Sequence, residues 1–251
     1  MSNRAKKRKT QTRDQNQKHY ALDNKLNLEA KHFNPLTQNQ EVVFKQFSRK
    51  HLFLHGMAGT GKSFIAIYLA LKEIFSSQSP FKKLIIVRSL VQTRDMGHLP
   101  GSDKDKMKVY EAPYIPICAE IFGRGDAYTL LKQKGIIEFI STSFIRGITV
   151  NDSIVLVDEC QNLTAHEMHS VMTRIGNYCK IVFAGDIRQT DLNKRKELSG
   201  ISDFIKIIKC MNCFEFVEFQ EEDIVRSALV KNYIITKNRL EDDGIIQVNV
   251  V

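Results

Sequence analysis

The sequence predicts an α/β domain in which a mostly parallel sheet carries helices on both faces. Strand-like and helix-like segments alternate after residue 35, and strand-like segments such as 154–157 and 181–184 are apolar at every position. A strand that is apolar throughout is buried on both sides, as strands are in a parallel sheet covered by helices. Because ligands of such sheets bind at the carboxyl ends of the strands, functional residues are expected there.

Local patterns justify the individual strands. Five apolar segments predict buried strands, and a sixth alternates apolar and polar residues, which predicts a half-exposed edge strand. In chain order the six are HLFLH, KKLIIVRS, GIIEFIS, DSIVLVDE, CKIVFAGD and the alternating FEFVEF.

Helices are predicted between these strands. An amphipathic helix capped by Thr37 or Asn39 precedes the first strand, and GKSFIAIYLALKEIF follows it as a buried helix. The segment TAHEMHSVMTRIG predicts a helix that begins at Thr164, with Glu167 completing a capping box. Residues 91–125 are expected to form an insert of loop, helix and loop, because Pro and Gly interrupt them. A closing helix is predicted over EEDIVRSALVKNYIITKNRL.

Charge divides the chain of 251 residues, whose net charge is +9, into two parts. Residues 1–31 hold nine Lys or Arg and three Asp or Glu, and they contain no Ile, Val or Phe. We therefore expect residues 1–34 to be a basic, mobile leader and residues 35–251 to be a single domain. Three interpretations of the leader are open: a solubilising tail, a nucleic-acid arm that displaces counterions from phosphates, and a targeting segment.

Composition limits the cellular setting. No apolar run approaches the roughly 20 residues of a membrane span, and the first residues lack a secretory signal, so we expect a cytoplasmic protein without a membrane partner. The five cysteines are expected to be reduced thiols. Cys210 and Cys213 form a C-x-x-C pair, for which small buried residues near a strand are favoured over a zinc or redox site.

A phosphate-binding loop is predicted within HGMAGTGKS, residues 55–63. Gly56, Gly61, Lys62 and Ser63 match G-x-x-x-x-G-K-S/T between an apolar strand and a helix, which indicates a P-loop NTPase (RecA-like) core. In such a loop, backbone N–H groups and the helix dipole bind phosphates, the lysine reaches the β- and γ-phosphates, and the hydroxyl ligates Mg²⁺. We therefore expect ATP and Mg²⁺ as ligands of the run Gly56, Met57, Ala58, Gly59, Thr60, Gly61, Lys62 and Ser63.

Further polar residues follow two strands. In IVLVDE, Asp158 would hold Mg²⁺ through its shell and Glu159 would polarise the attacking water, which favours hydrolysis over binding alone. In VFAGDIRQTDL, Asp186 and Gln189 would reach the γ-phosphate and its water. Arg226 would supply a guanidinium for the charge that develops during transfer.

We therefore predict Lys62, Glu159, Gln189 and Arg226 as catalytic residues, and Ser63 and Asp158 as metal ligands. Each assignment has a plain structural alternative: a solvated acidic pair at 158–159, a turn at 186–189 and a surface helix position at Arg226.

Together these motifs resemble those of the PhoH family of ATPases, which is related to superfamily 1 helicase cores. The resemblance covers roughly residues 35–240. It is carried by HGMAGTGKS, VRSLVQTRDMGHLPGSDKDKM, GIIEFISTSFIRGITVNDSIVLVDECQNLTAHEMHSVMTRIG, KIVFAGDIRQTDL and DIVRSALV.

The resemblance implies roles for matching positions. Gln40, ahead of the loop, resembles the glutamine that reads adenine through its amide, and Gln189 resembles the γ-phosphate sensor. Arg88 and Arg146 fall on family arginines whose contact, with phosphate, RNA or a neighbouring subunit, stays open.

The chain departs from the family pattern at three positions. Cys160 replaces a small alanine, Ser89 replaces a proline, and Ile148 replaces an arginine. The last exchange removes a charge near the expected nucleic-acid face and weakens the expectation of RNA binding there.

The implied function is Mg²⁺-dependent ATP hydrolysis coupled to single-stranded RNA or another nucleic acid, in a helicase-like or RNA-metabolic role. The alternative is an ATP-driven switch that acts on a protein partner. A kinase is disfavoured, because the carboxylate pair suits water as the acceptor. A single core leaves the γ-phosphate side open to solvent, so we expect a homo-oligomer, and the resemblance implies a ring, which six subunits would close.

Overall fold

The structure, a computed structural model, describes residues 28–90, 103–186 and 201–246, with the backbone alone at 103–106 and 201–202. Within these ranges, no helix is both long and apolar enough to cross a membrane. The six strands of the described residues are β1 His51–Gly56, β2 Lys83–Arg88, β3 Ile137–Ser141, β4 Ser153–Val157, β5 Lys180–Gly185 and β6 Phe214–Phe219.

Nine α-helices lie in the same ranges. They are α1 Gln38–Gln46, α2 Lys62–Ile74, α3 Asp103–Glu111, α4 Tyr114–Phe122, α5 Ala127–Gln133, α6 Thr142–Ile145, α7 Ala165–Met172, α8 Ile201–Lys209 and α9 Ala228–Asp242. Short 3₁₀ helices at Cys160–Asn162 and Glu221–Asp223 follow β4 and β6.

The strands form one sheet in the order β3-β2-β4-β5-β1-β6, and every neighbouring pair is parallel. The predicted α/β fold is therefore confirmed. All carboxyl ends of the strands lie at one edge of the sheet. The ends of β2, β4, β5 and β1 are adjacent there, which brings together four chain segments that are far apart in sequence.

Side-chain alternation along each strand divides the core into two clusters, one on each face of the sheet. In β1, Leu52 and Leu54 join the cluster formed with α1, α2, α4 and α5, whereas Phe53 joins the one formed with α6, α7 and α8. Both clusters consist of buried apolar side chains, which explains why the central strands β4 and β5 are almost entirely apolar.

Several local predictions are confirmed. Thr37 is the N-cap of α1 and accepts a hydrogen bond from the backbone N–H of Gln40. Thr164 caps α7 and forms the predicted capping box with Glu167. The alternating strand β6 lies at an edge of the sheet.

Two local predictions are wrong. The described part of the insert contains two helices, α3 and α4, rather than one, because Pro113 lacks the N–H that would continue the first. The closing helix begins at Ala228, with Ser227 as its N-cap, so Arg226 lies in the preceding loop and not on the helix.

The last residues of the predicted leader pack against the domain. Leu28 is buried in the core, the backbone N–H of Lys31 donates to the Ile121 carbonyl over 2.8 Å, and Phe33 lies against Phe64. Residues 1–27 lie outside the described part, so the leader stays a prediction there.

Candidate nucleotide-binding site

The predicted phosphate-binding loop joins β1 to α2, and its shape depends on glycine. Gly56, Gly59 and Gly61 have φ angles of 114°, 77° and 80°, which side chains rarely adopt. A Cβ at Gly56 would lie 2.1 Å from the Phe219 carbonyl oxygen. Thr60 is fully buried and donates its hydroxyl to the Met57 carbonyl over 2.9 Å. The loop is therefore a tight backbone turn stabilised by its own groups.

Lys62 lies within this loop. Its ammonium donates to the carbonyls of Gly56 and Met57, over 2.9 and 2.6 Å, and to the Thr60 hydroxyl over 3.3 Å. Burial lowers the pKa of Lys62, and nearby carboxylates, of which Asp186 contributes most, oppose that shift. An anionic phosphate at the loop would meet a partly desolvated cation whose present partners are neutral oxygens.

Asp158 directly follows β4 and is buried, with 4 % of its surface exposed. Its Oδ1 accepts a hydrogen bond from the Ser63 hydroxyl over 2.7 Å, and its Oδ2 accepts one from the Tyr114 hydroxyl over 2.9 Å. Burial and the neighbouring Glu159 carboxylate raise the pKa of Asp158. Ser63 of the loop and Tyr114 of α4, which are far apart in sequence, therefore meet at the Asp158 carboxylate.

The donor set fits Mg²⁺, which prefers oxygen ligands and is usually held by one or two carboxylates together with phosphates of a nucleotide. Ser63 and Asp158 offer a hydroxyl and a carboxylate in direct contact. Among the described residues, no group of three or more His, Cys, Asp and Glu side chains could hold a metal by itself. An ion here would therefore share its coordination with the nucleotide and water.

Glu159 has a left-handed backbone, with φ 51° and ψ 42°, which is uncommon for a residue other than glycine. Its Oε2 accepts a hydrogen bond from the amide of Gln161 over 2.6 Å, and the Gln161 Oε1 accepts one from the Asp186 backbone N–H over 3.0 Å. Gly185 leaves room for this arrangement, because a Cβ there would lie 2.4 Å from Gln161 Oε1. Gln161 thus links the ends of β4 and β5.

Sequence reasoning missed Gln161 and Tyr114 as site residues. The amide two positions after Glu159 in DECQN was an available signal for Gln161. Tyr114 offered none, because it lies in the insert and reaches Asp158 only through the packing of α4. Gln189 lies outside the described residues. Asp186 is buried at the end of β5 and is close enough to Lys62 to affect its pKa.

Gln40 is buried and contacts the loop from the α1 side. Its Oε1 accepts from the Leu36 backbone N–H over 2.8 Å, and its Nε2 donates to the Thr60 carbonyl over 3.1 Å. An amide has two N–H groups and two acceptor lone pairs, so these bonds leave capacity on both atoms. Adenine reading by Gln40 stays a prediction, and its contact with the loop is an observation.

Arg226 is exposed and lies beside the loop of its own chain. A Cβ at Gly59 would lie 3.1 Å from the Arg226 Cγ and 3.4 Å from the Ile234 Cδ1. The backbone N–H of Val225 donates to the Gly59 carbonyl over 3.1 Å. The segment between β6 and α9 therefore packs directly on the phosphate-binding loop.

The two remaining arginines differ in position. Arg88 ends β2, and its guanidinium lies 5.7 Å from the ring centroid of Tyr110. Burial acts to lower the pKa of Arg88, but its interactions with Tyr114, Glu159 and Asp158 outweigh burial and raise it. Arg146 is exposed at the end of α6. Arg88 therefore lies beside the carboxylate cluster formed by Asp158 and Glu159, and Arg146 lies on the surface.

The cysteine prediction is wrong at one point. Cys210 and Cys213 are exposed free thiols, because they lie in the turn between α8 and β6 and not in a packed element. Cys160, in contrast, is fully buried and packs closely on Gly185, since a Cβ at Gly185 would lie 2.8 Å from the Cys160 Sγ.

The glycine-dependent loop, its lysine and the buried carboxylates at adjacent strand ends define a P-loop NTPase fold. The sequence model described as PhoH-like protein matches residues 32–237, and the chain therefore belongs to this family. The resemblance inferred from the motifs is confirmed.

Relatives agree with this assignment. The chain is 31 % identical over 210 residues to the PhoH-like protein of Bacillus subtilis, covering 83 % of this chain and 65 % of that protein. It is 32 % identical over 184 residues to Protein PhoH of Escherichia coli, covering 72 % and 51 %. The matched part is less than two thirds of the length of these relatives.

Solved structures show a slight overall likeness. The Pif1 helicase from Candida albicans superposes with a TM-score of 0.42 at 17 % identity, over 83 % of this chain and 44 % of that one. The Bacteroides Pif1 bound to ssDNA gives a TM-score of 0.36 at 13 % identity, over 83 % and 49 %.

Proposed function

We propose that this protein binds ATP together with Mg²⁺, hydrolyses it, and couples hydrolysis to single-stranded nucleic acid, with RNA as the first candidate. The observation that carries the proposal is the convergence of Lys62, Ser63, Asp158 and Glu159 at one edge of the sheet. The hydrogen bond between Ser63 and Asp158 joins the phosphate-binding loop to the carboxylate pair over 2.7 Å. Nucleotide hydrolysis requires these groups to be adjacent.

Each group has a distinct task in this proposal. The loop N–H groups and the N-terminus of α2 bind the phosphates, and Lys62 exchanges its loop carbonyls for β- and γ-phosphate oxygens. Ser63 and Asp158 hold Mg²⁺, which neutralises charge on the phosphates. Glu159, oriented by Gln161, polarises the attacking water. Asp186 lies at the neighbouring strand end, and Gln189 is proposed to sense the γ-phosphate.

Two features support a nucleic-acid partner. The leader concentrates nine Lys and Arg in residues 1–31, which suits binding of phosphates without sequence choice. On the domain, Arg146 is exposed between the exposed Phe144 and Ile148, directly after β3. Cation and aromatic together suit a single strand, whose bases stack and whose phosphates are charged.

The proposal is tested by measuring ATP turnover with Mg²⁺, with and without single-stranded RNA or DNA. Lys62→Ala is expected to lose binding and turnover, and Glu159→Gln to keep binding and lose turnover, because an amide cannot act as a base. Lys134→Ala and Glu120→Gln, both exposed and neither assigned to the site, are matched controls. Normal hydrolysis by Glu159→Gln would contradict the role of that carboxylate.

The nucleic-acid part can fail independently. Nucleic acid is expected to stimulate turnover, and deletion of residues 1–27 is expected to weaken binding and flatten its dependence on salt. If neither RNA nor DNA changes the rate of ATP turnover, the alternative is favoured, which is an ATP-driven switch acting on a protein partner.

We extend the proposal to a homo-oligomer, with a six-membered ring as its expected form. No residue of α9 is buried, and Leu229 and Tyr233 are 80 % and 68 % exposed next to the loop segment that carries Arg226. A second copy covering this face would bury apolar surface and close the γ-phosphate side. Light scattering in the presence of ATP and Mg²⁺ tests for this oligomer, and a molecular mass equal to that of the monomer would contradict the proposal.

The subunit in which Arg226 acts can be determined by mixing variants. Its stem lies on Gly59 of the same chain, so we expect it to serve its own site. Lys62→Ala subunits mixed with Arg226→Ala subunits should then recover no activity. Recovery would place Arg226 in the neighbour's site.

A further inference from the structure

The Asp158 carboxylate is held at both oxygens by hydroxyl groups from two different parts of the chain. Ser63 donates to Oδ1 over 2.7 Å from the phosphate-binding loop, and Tyr114 donates to Oδ2 over 2.9 Å from the first residue of α4. A carboxylate held at both oxygens cannot turn about its Cβ–Cγ bond without losing one of these bonds. Its plane is therefore set by the loop and by the insert together.

Packing alone does not require a tyrosine at position 114. The side chain is 1 % exposed and its ring lies 6.0 Å from that of Phe139, so a phenylalanine would fill the same space. Burial of a hydroxyl costs free energy unless it finds a partner, and this hydroxyl donates to the carboxylate assigned to the metal and also lies near the Arg88 guanidinium. The ring of Tyr114 therefore packs in the apolar core, whereas its hydroxyl contributes a hydrogen bond and no apolar packing.

A second buried tyrosine in the same region offers a comparison. Tyr128, 3 % exposed, donates its hydroxyl to Glu111 over 3.3 Å. Glu111 also pairs with Lys132 over 2.6 Å, and it is not part of the carboxylate cluster. The two tyrosines share the same chemistry, but only Tyr114 reaches a residue of the candidate site.

We propose that Tyr114 is a positioning residue of the metal–nucleotide site. Its hydroxyl fixes Oδ2 of Asp158, so that Oδ1 stays directed at Ser63 and at the ion that both would hold. The insert that contains α3 and α4 then has a task, because it supplies the hydroxyl that orders the metal site. This inference rests on the proposed function, since it assigns a role within the Mg²⁺ site.

The test is Tyr114→Phe, which keeps the ring and removes the hydroxyl, with Tyr128→Phe as the matched control. Mn²⁺ serves as the probe, and its affinity for the protein–nucleotide complex is measured by electron paramagnetic resonance. Loss of a group that orients a metal ligand commonly weakens metal binding by 10- to 100-fold, so we expect about a tenfold loss in Tyr114→Phe. Tyr128→Phe should keep the normal affinity, and metal-free ATP binding should be normal in both.

A merely structural role would have a different signature. In the proposed role, turnover of Tyr114→Phe recovers at saturating metal, because only the metal affinity has changed. An unchanged Mn²⁺ affinity, turnover that stays low at saturating metal, or unfolding of Tyr114→Phe but not of Tyr128→Phe would each overturn the inference. If the unaltered protein binds no metal–nucleotide complex, the proposed function itself fails, and the two failures are thereby distinguished.

Discussion

The phosphate-binding loop and the Asp158 cluster form one candidate site, but they are built in different ways. In the loop, Lys62 contacts groups two to six positions away, and Thr60 contacts Met57 three positions away. Asp158 contacts Ser63 across 95 positions and Tyr114 across 44. The hydrogen bonds of Lys62 and Thr60 within the loop are therefore local, although β6, Gln40 and Val225 also contact the loop from distant parts of the chain. The carboxylate cluster, in contrast, has no local part and exists only after the sheet has assembled.

The physical basis of each region differs accordingly. The loop depends on φ angles that glycine tolerates, so a change of backbone freedom should destroy it. The cluster depends on hydrogen bonds that offset the cost of burying a carboxylate. A change of one side chain there should therefore lower turnover without unfolding the domain. The following predictions break or sharpen this comparison, from the largest expected effect to the smallest.

Gly56→Ala should have the largest effect. The new methyl group would lie 2.1 Å from the Phe219 carbonyl oxygen at a φ of 114°, so the loop must move away from β6. We expect loss of nucleotide binding and a decrease of about 3 kcal/mol in the free energy of unfolding, measured by urea denaturation.

Gly135→Ala is the control for this change. Gly135 has a φ of 69° but no atom within 4 Å of its added Cβ, so it isolates the backbone strain from the clash. Its cost should be about 1 kcal/mol, with nucleotide binding intact. Equal effects of the two substitutions would contradict the role of close packing at Gly56.

Gln161→Leu should lower turnover by disturbing the carboxylate cluster. It removes the amide that holds Glu159 and leaves the Asp186 backbone N–H without this partner. We expect turnover to fall about tenfold, or about 1.4 kcal/mol in activation free energy, while ATP affinity stays unchanged. Gln133→Leu, exposed at the end of α5, is the control, and a parallel loss of ATP affinity would show that the loop also depends on Gln161.

Gln40→Ala tests the one amide that connects α1 to the loop. Loss of its bonds to the Leu36 N–H and the Thr60 carbonyl should lower the free energy of unfolding by about 1–2 kcal/mol. If Gln40 also reads adenine, the preference for ATP over GTP should shrink severalfold. An unchanged preference together with the stability loss would leave Gln40 as a support of the loop only.

Lys180→Met should have the smallest effect, and it tests a buried charge far from the loop. Lys180 donates to the Lys50 carbonyl over 2.7 Å, and burial lowers its pKa from 10.5 to about 8. Between these values the unfolded chain binds more protons than the folded one, so the free energy of unfolding should rise with pH. The variant should lack this rise, which we expect to be about 1 kcal/mol after allowance for partial solvent screening.

Urea denaturation of both proteins at pH 7.5 and pH 10 measures that difference. Identical pH dependence in the two proteins would show that Lys180 is not the group responsible. A pH dependence that the variant lacks would show that burial between distant chain segments lowers the pKa of Lys180, at a position where no ligand is expected.

Much of the fold followed from local patterns. Uniformly apolar segments identified the buried strands, and Thr164 with Glu167 identified the start of α7. Patterns failed where the chain changes direction: Pro113 divides the insert into two helices, and Ser227 starts α9 after Arg226 and not before it. Turn and cap geometry depends on single residues, which periodicity over a window does not resolve.

What the sequence by itself determined is local: the α/β class, the glycine-dependent loop with Lys62 and Ser63, and the carboxylates Asp158 and Glu159 at a strand end. What only the tertiary structure decided is which distant groups meet them: Tyr114 on Asp158 and Gln161 between β4 and β5. The physical reason is that dihedral preferences and periodicity act over a few residues. Contacts across 44 or 95 positions depend instead on strand order, which local patterns do not encode.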